Sequence, residues 1–223
     1  MTTTLELCCE LYRLDLMLGL EERLRQLGFR ASAGVDEAGR GCLAGPVVAA
    51  AVIPGAGPPI AGIDDSKKLT AESRFRLAAE IRRRSRAVAV VAVPAEVIDR
   101  VNILEATRLA MRTALAGLDP RPDCVVSDAM PLPGLIVPCI PAVKADAWSY
   151  AVACASIVAK AARDEQMVAL DRDLPWYGFA EHKGYGAPGH LRALHRFGPS
   201  PEHRLTFRSV VPRRSDSPGT RAA

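Results

Sequence analysis

Four acidic residues stand where an acid needs a reason. Asp36 and Glu37 sit side by side after the small apolar lead-in Gly34-Val35, and Gly39-Arg40-Gly41 follows at once. Asp128 closes the apolar run Cys124-Val125-Val126-Ser127, and Asp146 follows Ala142-Val143-Lys144-Ala145. Each has an ordinary reading alone: a solvated pair at a strand end, an Asx turn before Met130-Pro131, a helix cap. Together they suggest more, because strand ends of a parallel or mixed sheet are where α/β proteins collect ligands. Four converging carboxylates repel, raise one another's pKa and require cations. An all-oxygen set selects hard ions, so Mg²⁺ is expected, with Mn²⁺ as a substitute. Two such ions would activate a water and steady the leaving oxygen of an in-line displacement at phosphorus. An arginine tying up any of the four, or Asp146 aimed away from Asp36, would count against this chemistry.

Along a regular strand Asp36 and Glu37 point to opposite faces, so one shared site requires the backbone to bend there. Gly39 and Gly41 permit such a bend. The elements that must hold the acids follow from pattern. Strands are expected over about Gly34 to Glu37, Val47 to Ile53, Ala87 to Val93 and Cys124 to Asp128, with short ones at Ile136-Val137 and Ile140 to Val143. Thr70 caps a helix running to about Arg84, with Phe75, Leu77, Ala78 and Ile81 inward. Further helices begin near Pro94-Ala95, span Ile103 to Leu118, run from Asp146 to Leu170 as the longest, and close with Pro188 to Arg196. The stretch from Asp173 to Gly189 reads as loop, and Arg163-Asp164 as a helix-surface feature. His182, His190, His195 and His203 are too scattered to read as ligands.

At the N-terminus, Thr3 and Glu6 have capping-box spacing, and Leu7, Leu11, Leu14, Leu18, Leu24 and Leu27 form a helical stripe up to Gly28. Gly19 inside it argues against one unbroken helix. The expected organisation is a helical extension over 1–30, an α/β domain with a mixed central sheet over 31–211, and a polar, disordered tail over 212–223.

The 223 residues carry 49% hydrophobic and 24% charged side chains and a net charge of +4, enough apolar material for one large core and a mild fit to a polyanion. The six cysteines form no Cys-x-x-Cys pattern and read as reduced thiols. The uncharged run Cys42 to Ile63 is long enough to raise the question of a membrane span, but Pro46, Pro54, Pro58 and Pro59 exclude a helix there. With Glu6 and Glu10 near the start in place of a basic region, no secretory signal is expected.

Four motifs occur in register: Asp36-Glu37-Ala38-Gly39-Arg40-Gly41, Asp65-Ser66-Lys67-Lys68-Leu69, Lys144-Ala145-Asp146 and His182-Lys183-Gly184-Tyr185-Gly186. In this order and spacing they resemble ribonuclease HII, the type 2 ribonuclease H, over roughly Ala33 to Val210. The resemblance implies the ribonuclease H fold with a helical C-terminal part, and a cytoplasmic endoribonuclease without a membrane or evident protein partner, expected as a monomer. Its substrates would be RNA–DNA hybrids and duplex DNA with single ribonucleotides, cut on the 5′ side to leave 3′-hydroxyl and 5′-phosphate ends. It implies that Asp36, Glu37, Asp128 and Asp146 hold two Mg²⁺ or Mn²⁺ ions and are catalytic. It places Gly39, Arg40 and Gly41 at the ribonucleotide, Tyr185 against the following deoxyribose, and Ser66, Lys67 and Lys68 along the substrate backbone. Two positions depart from the family pattern: Ala129 and Ala145 stand where glycine is usual. The alternatives are a type 3 ribonuclease H and a non-catalytic nucleic-acid-binding protein of the same fold.

Overall fold

The computed structural model describes residues 3–211. The expected tail over 212–223 lies outside them. Strands β1 (Ser32–Ala38), β2 (Val47–Ile53), β3 (Ala87–Val93), β4 (Cys124–Asp128) and β5 (Cys139–Ala142) form one sheet in the order β3-β2-β1-β4-β5. β1 pairs antiparallel with β2, and β2 with β3, whereas β1–β4 and β4–β5 are parallel. The mixed sheet is thus as expected.

Helices cover both faces. α1 (Thr4–Gln26), α2 (Ala71–Arg84) and α5 (Tyr150–Asp173) lie on one side, where Leu14, Ala50, Val52, Leu77, Ile81 and Ile157 share a core. α3 (Ala95–Val101) and α4 (Ile103–Ala116) lie on the other, where Val35, Ala49, Ala51, Ile98, Ala110 and Met111 form a second core. β2 supplies alternate residues to both, so all seven of its side chains are buried. The helical C-terminal part comprises a 3₁₀ turn (Pro175–Tyr177), α6 (Phe179–His182) and α7 (Pro188–Phe197).

Several boundaries differ from the sequence reading, each for a local reason. The longest helix does not begin at Asp146. Its cap is Ser149, which accepts the Val152 N–H, and Asp146 lies on a separate 3₁₀ turn, Ala145–Ala147. Ile136-Val137 is not a strand; two residues hemmed by Pro133, Gly134 and Pro138 cannot sustain a ladder. The 173–189 stretch is not all loop, since it holds the 3₁₀ turn and α6. α1 runs unbroken through Gly19, which faces solvent, and buries Leu14, Met17 and Leu24 while Leu11 stays exposed. In α2, Phe75 points outward at 42% exposed and Arg74 points inward. Arg74 takes that position because acceptors wait there: Ser66 O, Leu69 O and Asp164 Oδ2 at 2.9–3.1 Å.

α1 is also tied to the head of α5. Glu21 Oε1 accepts from Ser149 Oγ at 2.7 Å and from the Ala151 N–H at 2.9 Å. The start of α5 is thereby held from two sides, by β1 and by the N-terminal helix. Among the described residues no helix is long and apolar enough to cross a membrane.

Candidate active site

Asp36 and Asp128 meet at one end of the sheet because the strands carrying them are parallel neighbours, whereas the expected bend at Glu37 is not seen: β1 keeps its register with β2 through Glu37 and Ala38. β1 and β4 are in register with Val35 opposite Ser127, so Asp36 and Asp128 occupy the next positions on adjacent strands. Adjacent strands lie about 4.8 Å apart. Both side chains thus emerge at the carboxyl ends of parallel strands. Asp128 Oδ1 accepts the Ala145 N–H at 2.9 Å, which folds the turn carrying Asp146 back over the end of β4.

The proximity of the acids shifts their titration. Asp36 is 6% exposed, and burial, then the Glu37 charge, then Asp128 push its carboxyl pKa well above the usual range. The Ser156 hydroxyl of α5 offsets part of that rise. Burial also raises Glu37, with Asp128 adding to the effect and Arg40 opposing it. Asp146 is raised by burial, then by Asp128 and Asp65, against Lys67. Asp65 is an additional acid of this group that the sequence reading did not count as a site residue. Its signal was its place in Asp64-Asp65-Ser66-Lys67-Lys68, where only Ser66, Lys67 and Lys68 counted as candidates.

The carboxylates fit a divalent cation in chemistry, though not as a closed cage. Among the described residues no three His, Cys, Asp or Glu side chains are drawn tightly around one point. Glu37 Oε1 instead meets Arg40 at 3.4 Å, a long contact to a half-exposed arginine. Its other oxygen, Oε2, is buried with no hydrogen-bond partner. A buried, unpaired carboxylate oxygen beside repelling acids is what a cation would satisfy. The Arg40 contact therefore leaves half of the Glu37 carboxylate open.

Ala129 has φ +48° and Lys144 φ +57°, both left-handed. Ala129 thus adopts the conformation for which glycine is suited, and its N–H still reaches Ala142 O at 3.0 Å. Asp128 keeps its place at the cost of backbone strain. Ala145 accommodates a methyl while fully buried. Ala129→Gly is expected to raise stability by about 0.5–1 kcal/mol, read as a higher urea midpoint at unchanged m-value.

The substrate-facing candidates divide. Arg40 is exposed, and the N–H groups of Arg40 and Gly41 take no protein partner among the described residues. Tyr185 is 44% exposed, with Lys160 Nζ 5.8 Å and Arg163 Cζ 6.0 Å from its ring centroid. Lys67 is exposed beside Asp146, and Lys68 is exposed while pairing with Asp64 at 3.1 Å. Ser66 is buried, and its Oγ lies 3.0 Å from Ser156 Oγ on α5.

Two readings need correction. Arg163-Asp164 is not on the helix surface: both residues are buried. Asp164 pairs with Arg74 at 2.9 Å and Lys160 at 2.6 Å, and Arg163 binds three loop carbonyls. The usable signal was a charged pair continuing the small-residue run Ala151 to Ala162. Three of the four histidines also lie together, although His195 stays apart and exposed and no metal-holding group forms among the described residues. His182 stacks on His190 with centroids 4.4 Å apart, and His190 Nε2 lies 3.0 Å from His203 Nε2. These three rings brace the loop bearing Tyr185, whose carbonyl lies 2.8 Å from His190 Nδ1.

Comparison with known proteins agrees with this geometry. The family model described as Ribonuclease HII matches residues 33–210. The ribonuclease HII of Chloroflexus aggregans is 49% identical over 202 residues, 87% of this chain and 94% of that protein. That of Solibacter usitatus is 50% identical over 191 residues, 86% and 83% of the two chains. Among solved structures, the ribonuclease H2 of Pyrococcus horikoshii aligns with TM-score 0.67 at 25% identity, over 81% of this chain and 95% of that one. The RNase HII of Archaeoglobus fulgidus, solved as a complex with PCNA, aligns with TM-score 0.66 at 26% identity, over 84% and 100%. This chain belongs to the ribonuclease HII family of RNA–DNA-directed, divalent-metal-dependent ribonuclease H hydrolases.

Proposed function

We propose that this chain nicks RNA–DNA hybrids, and duplex DNA containing a single ribonucleotide, on the 5′ side of the ribonucleotide. The register that sets Asp36 beside Asp128 carries the reading, because it gathers acids from three separate segments at one strand end. Asp36, Glu37, Asp128 and Asp146 would hold two Mg²⁺ or Mn²⁺ ions. When bound, such ions supply charge for activating a water and for stabilising the leaving oxygen.

The remaining work falls to the protein. The free amides of Arg40 and Gly41 are available to a ribose 2′-hydroxyl, the group that marks RNA at a given nucleotide. A site built to bond that hydroxyl rejects deoxyribose, which would leave its donors unpaired. The half-exposed Tyr185 ring is available for stacking on the next sugar. Lys67 and Lys68, both exposed, suit phosphate contacts. Arg40, whose contact with Glu37 is long and exposed, would be free to turn to solvent or phosphate if Glu37 held a cation.

The test is incubation with duplex DNA bearing one ribonucleotide, with an RNA–DNA hybrid and with an all-deoxy duplex. With Mg²⁺ or Mn²⁺, cleavage of the first two to 3′-hydroxyl and 5′-phosphate ends is expected. In EDTA none is expected. Salt-sensitive binding without nicking in either metal would instead mark a non-catalytic binding protein.

A further inference from the structure

Arg163 and Arg204 are fully buried, and neither forms an ion pair among the described residues. Arg163, on α5, donates from Nε to Pro46 O at 3.0 Å, from Nη2 to Ala44 O at 3.1 Å and from Nη1 to Lys183 O at 2.9 Å. Arg204 donates from Nη1 to Arg40 O at 2.9 Å, and from Nε and Nη2 to Gly45 O at 3.0 and 2.9 Å. Burying a charge without a counter-charge is costly, and apolar side chains of similar volume would fill the space more cheaply. What apolar side chains could not do is hold carbonyls. Four of them, from Arg40, Ala44, Gly45 and Pro46, belong to the loop that contains Gly39-Arg40-Gly41.

Arg163 reaches further than Arg204. A Cβ on Gly39, whose φ is +96°, would lie 2.0 Å from Arg163 Nε. The first glycine of the motif is therefore set by this guanidinium as well as by its own dihedral. Through Lys183 O, Arg163 also grips the second loop, and its guanidinium lies on the Tyr185 ring. One direct bond, Leu43 N–H to Gly184 O at 2.8 Å, joins the same two loops.

We propose that Arg163 is a positioning residue for ribose recognition, fixing the Gly39–Pro46 loop and the Lys183–Gly186 loop against each other so that both meet one nucleotide step. Arg204 holds the first loop alone. The inference rests on the ribose-reading role argued above.

The test is binding in EDTA, free of any cleavage step. Fluorescence anisotropy compares a duplex bearing one ribonucleotide with its all-deoxy counterpart for wild type, Arg163→Lys, Arg204→Lys, Tyr185→Ala and both lysine variants combined with Tyr185→Ala. Lysine keeps the charge but cannot serve three carbonyls in different directions. Arg163→Lys is expected to keep the all-deoxy affinity within about threefold and to lose about tenfold of the ribonucleotide preference. With Tyr185→Ala its loss is expected to be less than the product of the single losses, because the two act through one arrangement. Arg204→Lys with Tyr185→Ala is expected to multiply. A folded Arg163→Lys that keeps the preference, or equal coupling of both arginines to Tyr185, overturns the proposal. Should Arg163→Lys not fold, Gly39→Ala, whose methyl presses on the same guanidinium, must couple to Tyr185→Ala, and independence there overturns it equally. Wild type without any ribonucleotide preference would sink the ribose-reading role itself and this inference with it; a preference that survives in Arg163→Lys sinks this inference alone.

Discussion

Asp36→Asn is expected to abolish cleavage, by about 10³-fold or more, while the protein stays folded. A loss of that size is about 4 kcal/mol of barrier. The substitution keeps the shape of the side chain and one oxygen, so the Glu37 N–H, 2.8 Å from Asp36 Oδ1, keeps its acceptor. What disappears is the negative charge that a hard cation requires. Stability moves the other way. Asp36 is buried beside Glu37 and Asp128, and both burial and their charges disfavour its ionised form. A neutral amide escapes these costs, so the melting temperature in EDTA is expected to equal or exceed that of wild type. A nicking assay on the single-ribonucleotide duplex and a thermal melt, run on the same preparation, separate the two effects. Retained cleavage would remove Asp36 from the chemistry. Loss of cleavage together with unfolding would make it a structural residue.

The opposite signs expected here explain why this site is legible in sequence. Carboxylates that destabilise the fold at sheet positions have no packing reason to be there. The strands around them were readable for a related cause. β2, from Val47 to Ile53, is an apolar run buried on both faces, bounded by Pro46 and Pro54, so its limits coincide with the chemistry of the chain. α2 began at Thr70 as its cap predicts, with the Thr70 hydroxyl accepting from Ser73 N–H.

What the sequence hides depends on distant partners. Arg74 displaces Phe75 from the inner face only because Ser66, Leu69 and Asp164 present acceptors to it, the last of them 90 residues away. Asp146 lies ahead of α5 and not within it because the Ala145 N–H is spent on Asp128 and Ser149 takes over as cap. Arg163 reads as a solvated residue until the loops at Ala44 and Lys183 are known to pass beneath it. His182, His190 and His203 sit in separate segments, and only the packing of α6 on α7 and the return of the chain at His203 bring their rings together. In each case periodicity reports that a position is buried or exposed on average, while the deciding partner lies elsewhere in the chain.

Gly34→Ala shows how closely the site depends on one such distant contact. Gly34 lies on β1 two residues before Asp36, facing α5. A Cβ there would sit 2.1 Å from Ala151 C and 2.3 Å from Val152 N. Both are backbone atoms at the start of α5, so no rotamer change relieves the clash. The helix must move off the strand or the strand must bend. Either movement reaches the site, since Ser149 and the Asp146 turn immediately precede these atoms and Ser156, whose hydroxyl lowers the Asp36 pKa, follows on the same helix. A destabilisation of at least about 3 kcal/mol is expected, above the usual cost of an added methyl because the obstacle cannot rotate away. Any folded fraction is expected to cleave more slowly than wild type per folded molecule. Gly19→Ala is the matched control: it lies on an exposed face of α1 with nothing within 4 Å, and should gain up to about 1 kcal/mol from helix propensity. Urea titrations of the three proteins give the comparison directly. Equal stability of Gly34→Ala and wild type would mean that β1 and α5 are not in backbone contact, and the acids of β1 and the turn before α5 would then lose the contact that sets their separation.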